Sequence, residues 1–294
     1  MNKYIILIVL VFFGFLLSCT SDHSDKDFDT DVSDLSYLKD KEKSRIYYQV
    51  PSPENLLDFI KMSNLSYKKN LLNPMSNLEK YVSRKSQEIN LGIYSADLAY
   101  AIAFDEYQTT LKYLNPVKSL SDEIGVGGVI GDVIKKDLIG NMDSLLKVAN
   151  NTYYGFIRYL EGAERTETLA LIIAGGWLES LYIIINSVDK FEDNPKAVEL
   201  IADQKLTFET LVDYLKKYKS DNNVKELLDE MSKITLAFSK IKKKDGKSKK
   251  DSSVSSGKIV VGGSKKFFLK KEQFIELKTE ISNLRNKLTQ NKNS

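Results

Sequence analysis

Residues 167–188 read "ETLALIIAGGWLESLYIIINSV". The stretch is apolar on nearly every face, and it is long enough to cross a bilayer. Its reading decides the fold: either a membrane span or the central helix of a bundle. Glu179, Asn186 and the Gly175-Gly176 pair interrupt the apolar run. An ionisable side chain is expensive in lipid, so the segment reads as a buried core helix. A helix that is apolar all round needs other helices around it. Working outward, residues 91–114, "LGIYSADLAYAIAFDEYQTTLKYL", have the same character and predict a second central helix. Asn115-Pro116 should end it, because proline cannot donate within a helix and disfavours helix in the residue before it.

The flanking segments fit as covering helices. "VPSPENLLDFIKM" has Ser52 as N-cap and Pro53 at the first helical position. "NPMSNLEKYV" predicts a second start, with Ser76 as cap and Glu79 at the capping-box spacing, and a helix running to about Leu91. "VKSLSDEIG" reads as a short helix closed by Gly125 in the left-handed region. Further helices are expected over "MDSLLKVANNTYYGFIRYLEGAE", over "NPKAVELIADQKLTFETLVDYLKKY" and along the amphipathic stripe of "NVKELLDEMSKITLAFSKI". Residues 242–256, rich in Lys, Ser and Gly, read as a loop, and "KIVVGGSKKFFL" as a small β-hairpin turning at Gly262-Gly263. From Lys271 onward, Phe274, Leu277, Ile281, Leu284 and Leu288 form a seam that should dock back on the bundle. The fold class is therefore all-α: a bundle of about eight or nine helices over residues 45–294, with a small β-hairpin before the C-terminal helix.

The amino terminus has a different logic. Lys3 is followed by a fourteen-residue apolar run, Tyr4 to Leu17, too short to span comfortably and suited to a signal peptide. Leu16-Leu17-Ser18-Cys19 resembles the bacterial lipobox. In that reading residues 1–18 are removed and Cys19 carries the lipid, with several acyl chains giving stable anchoring. Cys19 is the chain's one cysteine, so it has no disulfide partner within the chain. Residues 19–44 read as an acidic tether, with six Asp against one Lys between Cys19 and Asp34. Outer-membrane anchoring follows as an expectation, on the periplasmic or cell-surface face.

Composition excludes much. A net charge of +3 does not call for nucleic acid, and twelve Lys between Lys240 and Lys271 read as a solvating loop or a contact for anionic headgroups. The one histidine, His23, falls in the tether, so Ser-His-Asp, Cys-His and histidine-metal chemistry lack material in the folded part. "GVGGVIG" fails the dinucleotide pattern, since Ile130 stands where the last glycine belongs. Neither a cofactor nor a metal is expected. Two acids stand out instead, Asp97 and Glu179, each alone in a central helix. A buried carboxylate needs a partner. Arg158, Arg165 and the hydroxyls of Tyr94, Tyr100, Tyr153, Tyr154 and Tyr182 are the candidates. Either the acids form a satisfied network that fixes helix register, or they converge with Trp177, Tyr182 and Arg158 on a ligand pocket. A carboxylate-based glycan hydrolase is the remote reading, since one Trp is little for a sugar site. Gly175 and Gly176 beside Trp177 point to close helix approach.

"NLGIYSADLAYAIAFDEYQTTLKYLNPVKSLSDEIGV", "LIIAGGWLESLYI" and the later "ISNLRNKL" together resemble a group of uncharacterised all-helical lipoproteins of Bacteroidota, over most of the mature chain. The resemblance implies a helical fold and an envelope location; it implies no activity and no catalytic residues. The sequence thus leads to a lipid-anchored, non-catalytic binding or scaffolding module, with the membrane and an envelope protein or glycan as partners. It does not fix the oligomeric state.

Overall fold

Two long helices that are buried on most faces organise the molecule. The computed structural model describes residues 53–129, 142–243 and 267–290. Nine α-helices and two short 3-10 turns lie among them. In chain order, α1 is Pro53–Ser63, α2 Arg84–Ala103, α3 Tyr107–Glu123, α4 Met142–Gly162 and α5 Thr166–Ser187. Then come α6 Pro195–Lys216, α7 Asn222–Glu230, α8 Ser232–Ser239 and α9 Lys271–Gln290. The all-α class is what the apolar patterning required. The β-hairpin is present but differently built: β1 (Lys242–Lys243) pairs antiparallel with β2 (Phe267–Phe268). The strands therefore flank the Lys-rich stretch, and the Gly262-Gly263 turn lies outside the described residues, as do Ser52, Cys19 and the tether.

The central pair is α2 and α5, which pack against each other along their length. Of the described helices, α5 alone is long and apolar enough to cross a membrane, and protein surrounds most of it. Close approach comes from glycine. A Cβ on Gly92 would stand 2.0 Å from the Ile172 carbonyl oxygen, and one on Gly175 would stand 2.0 Å from that of Ile89. Both clashes are with backbone, so no side-chain adjustment relieves them. Around this pair, α3 packs on α2, α6 and α9 pack on α5, and α4 covers α1, α2 and α5. The seam of α9 is buried throughout, so this helix docks onto the bundle.

Three helix boundaries differ from expectation for local reasons. Helix α2 starts at Ser83, whose Oγ accepts from the Ser86 amide at 3.1 Å, and not at Ser76. The stretch Met75–Lys80 winds as a 3-10 turn. Nearby polar groups are already engaged, with Asn77 Nδ2 donating to Asn73 Oδ1 at 2.8 Å, and such bonds compete with helix. Next, the break after α2 falls at Asp105, not at Asn115-Pro116. Asp105 sits at φ 57°, a region that Asp tolerates better than most residues. The Glu106 amide bonds back to the Ala101 carbonyl and that of Asp105 to Ile102, a Schellman closure. Pro116 remains inside α3; the lost bond is offset by the burial of Tyr113, Val117 and Leu120. Finally, the single stripe read over 224–238 is two helices, α7 and α8, joined at Met231. Gly125 closes α3 at φ 75°, as its position indicated.

Candidate functional site

Asp97 from α2 and Glu179 from α5 meet inside the bundle. Both are 0 % exposed. The cation between them and solvent is Arg285 of α9. Its Nε donates to Glu179 Oε2 at 2.9 Å and its Nη2 to Oε1 at 2.8 Å. This is the bidentate fork–fork geometry that guanidinium and carboxylate favour. Nη2 also donates to the Leu71 carbonyl at 3.2 Å, and the guanidinium lies 4.4 Å from the centre of the Tyr182 ring, within cation–π range. Burial works to lower the pKa of Arg285, and the Glu179 carboxylate more than reverses it, so the net shift is upward.

Asp97 is held differently. Its Oδ2 accepts from the Asn73 amide at 3.1 Å. Burial, and then the charge of Glu179, push its pKa well above the ordinary carboxylate range. Its Oδ1 has no donor within reach. Burial and the neighbouring carboxylate thus both favour the protonated form of Asp97. Tyrosines and Asn73 close the rest. Tyr113 donates to the Asn73 carbonyl at 3.0 Å, Tyr94 to the Pro74 carbonyl at 2.9 Å, and Tyr81 to the Thr289 carbonyl at 3.1 Å. Burial pushes the Tyr81 hydroxyl up to about 12. Asn90 Nδ2 donates to the Leu288 carbonyl at 3.0 Å. Tyr81 and Asn90 thereby satisfy two of the carbonyls that the end of α9 leaves open.

The structure thus gathers three of the five ligand-site residues expected from sequence: Asp97, Glu179 and Tyr182. Trp177 points elsewhere, packing on Phe208 at 5.0 Å and Phe238 at 6.3 Å between ring centres. Arg158 lies half-buried on α4, and the guanidinium that Glu179 takes is that of Arg285 instead. Arg165 is occupied at the other end of α5, donating to the Ile124 carbonyl at 2.8 Å. The residue that sequence reasoning missed is therefore Arg285. A signal for it existed: in "ISNLRNKL" it stands four residues after Ile281 and one after Leu284, at a core position of the seam.

Two cavities lie away from this network. A charged cleft of about 460 Å3 runs between the starts of α2 and α5 and residues 220–223. Its groups are bound to one another: Arg84 Nε to Glu88 Oε1 at 2.8 Å, Thr168 Oγ1 to the same oxygen at 2.8 Å, and Arg84 Nη2 to the Ile124 carbonyl at 3.0 Å. Burial raises the pKa of Glu88 against the opposing pull of Thr168 and Arg84. The second cavity is apolar and lies between α2, α3, α4 and α5, with Leu56 of α1 at one side. Its volume is about 70 Å3. Neither Asp97 nor Glu179 lines it. Among the described residues, no group of three or more His, Cys, Asp or Glu could hold a metal ion.

Comparison with family models, with curated proteins and with solved structures finds no match for this chain. What the protein does must be read from its own residues.

Proposed function

We propose that the protein is a lipid-anchored, non-catalytic binding or scaffolding module of the bacterial cell envelope, held to the outer membrane through acylated Cys19. The observation that carries the non-catalytic part is the pairing of Glu179 with Arg285. General acid–base work needs a carboxylate within reach of substrate. Here Asp97 and Glu179 are 0 % exposed, and Glu179 is held at both oxygens by a guanidinium. The anchoring part rests on the Leu16-Leu17-Ser18-Cys19 motif behind a fourteen-residue apolar run. The resemblance to all-helical lipoproteins of Bacteroidota belongs to the same reading. A rigid bundle on an acidic tether suits a module that presents a surface at a distance from the membrane.

The test is the intact mass of the mature protein, produced as the full chain in a Gram-negative bacterium. The expected product starts at Cys19, carries added acyl mass, and stays with outer membranes through a high-salt wash. The variant Cys19→Ala should lose the added mass and leave that fraction. An unmodified cysteine, or a Cys19→Ala chain that fractionates unchanged, overturns the proposal.

A further inference from the structure

We propose that the outer face of the β1–β2 ribbon is a contact surface for a bilayer rich in anionic phospholipid. The contact belongs to the folded domain and does not depend on an acyl group at Cys19, so the two readings can fail separately.

The ribbon has one dry face and one wet face. From Phe267 to Lys270 burial alternates in, out, in, out, which is the period of an extended chain. The inner face is anchored on α6. Phe267 is buried, with the Lys205 ammonium 5.7 Å from its ring centre, and its amide donates to Asp203 Oδ1 at 3.3 Å. Lys205 Nζ also donates to the Ile241 carbonyl at 2.8 Å. The outer face carries Phe268, which is 54 % exposed. In the ladder Phe268 stands opposite Lys242, and opposed residues share a face at roughly 5 Å. Lys270 follows two residues later on the same exposed side. Packing on α6 explains the aromatic at Phe267. It does not explain one at Phe268, where a small polar side chain would serve the ladder equally well.

Charge selects the partner. Lys240, Lys242, Lys243, Lys270 and Lys271 are all exposed at this end of the molecule. Two are engaged, Lys240 with Glu276 and Lys271 with Glu192 at 2.6 Å. Lys242, Lys243 and Lys270 form no ion pair among the described residues. Of the described acids, the nearest exposed one along the chain is Glu272. The sequence between the strands, residues 244–266, holds seven Lys against two Asp, so the charge of the connection has the same sign. Ile275, 54 % exposed on the second turn of α9, adds apolar surface. An exposed ring among ammonium groups suits a membrane interface: the ring enters the headgroup boundary and the cations meet lipid phosphate. An acidic polypeptide would engage the lysines and give Phe268 no role. A single-stranded nucleic acid asks for successive stacking rings, and among the described residues this face offers one.

The test uses the full chain with Cys19→Ala, which has no thiol and no acyl group. Phe268→Cys then takes a nitrobenzoxadiazole fluorophore, and a control takes the same label through Lys147→Cys on α4. The amino terminus is common to every variant, so differences between them report the ribbon. With vesicles of phosphatidylglycerol and phosphatidylcholine in equal parts, at low salt, emission at position 268 should shift to the blue and brighten. Position 147 should not respond, nor should position 268 with phosphatidylcholine alone, and added salt should reverse the shift. Lys242→Glu with Lys270→Glu should weaken vesicle binding at least tenfold while the thermal melt is retained. If that pair alters the melt, Lys242→Gln with Lys270→Gln replaces it; if the label at 268 does, Ile275→Cys carries it. A label that stays in water with anionic vesicles overturns the proposal, as does an equal response to phosphatidylcholine alone or an equal response at position 147. Unchanged binding by the charge variant overturns it too. A response to a single-stranded oligonucleotide and not to vesicles assigns the face to nucleic acid instead.

Discussion

The two flanks of the α2–α5 crossing are built on opposite principles. On one flank, Asp97, Glu179, Arg285 and Asn73 are tied by hydrogen bonds, and nearly every polar atom has a partner. On the other, small residues of α2 and α5, among larger apolar ones, border an apolar cavity of about 70 Å3. The same two helices carry both. Asp97 and Ala99 are two residues apart, about 200° around the helix, so one looks into the polar knot and the other toward the apolar cavity. The small residues of the crossing are not all alike. Gly92 and Gly175 let backbones touch, whereas a methyl at Gly176 would meet its nearest neighbour at an ordinary 3.5 Å.

The comparison breaks most visibly at the contact itself. Gly92→Ala places a methyl 2.0 Å from the Ile172 oxygen and 2.7 Å from the Gly176 nitrogen. Its effect should exceed the ~1–3 kcal/mol of ordinary overpacking, because helices and not rotamers must move. Circular dichroism should show the cooperative thermal transition lost; a melt like that of the unaltered chain would mean that the crossing is looser than described.

Next in size is the polar flank. Arg285→Met leaves Glu179 buried without its cation and should cost about 3–5 kcal/mol in urea denaturation. Adding Glu179→Leu should recover most of that loss, since an apolar replacement of a buried pair is often neutral. A double variant as unstable as the single one would assign Arg285 a role beyond the pair.

A smaller effect follows from the raised pKa of Asp97. Unfolded, Asp97 loses its proton near the usual value of about 4; folded, it keeps the proton to higher pH. Between those values the folded state binds the extra proton, so stability falls as pH rises through that window. Asp97→Asn carries no titrating proton, and its amide can donate toward Glu179. It should match the unaltered chain near pH 4 and exceed it near pH 7. Equal pH slopes in melts of the two proteins would show that Asp97 is ionised when folded.

The smallest expected change is Gly176→Ala. Space exists for the methyl, and alanine is favoured over glycine by up to ~1 kcal/mol in a helix. The melt should rise or stay level, in contrast to Gly92→Ala on the facing helix. A large fall would remove the distinction between the two kinds of small residue.

Much of the architecture was legible because it rests on local patterns. The apolar runs of α2 and α5 require burial, and the seam Phe274–Leu277–Ile281–Leu284–Leu288 announces a docked helix. Boundaries were less legible where tertiary bonds outbid local signals. Ser76 has the capping-box partner, yet Ser83 caps the helix, because Asn73 and Asn77 are tied to each other, to Asp97 and to Tyr81. The acids themselves could be found, since a lone carboxylate in an apolar helix demands explanation. Their cation could not be assigned by proximity in sequence: Arg158 and Arg165 lie on neighbouring segments, and Arg285 wins from 106 residues away. The apolar cavity left no mark that distinguishes it from close packing, because alanine and glycine border both.

That separation of 106 residues between Glu179 and Arg285 has a consequence for how the parts depend on one another. Closing α2 and α5 over Glu179 without α9 would bury a carboxylate without its cation, which is strongly unfavourable. The central crossing therefore depends on the last described helix, and a chain cut before Lys271 loses the partner that lets its two central helices close.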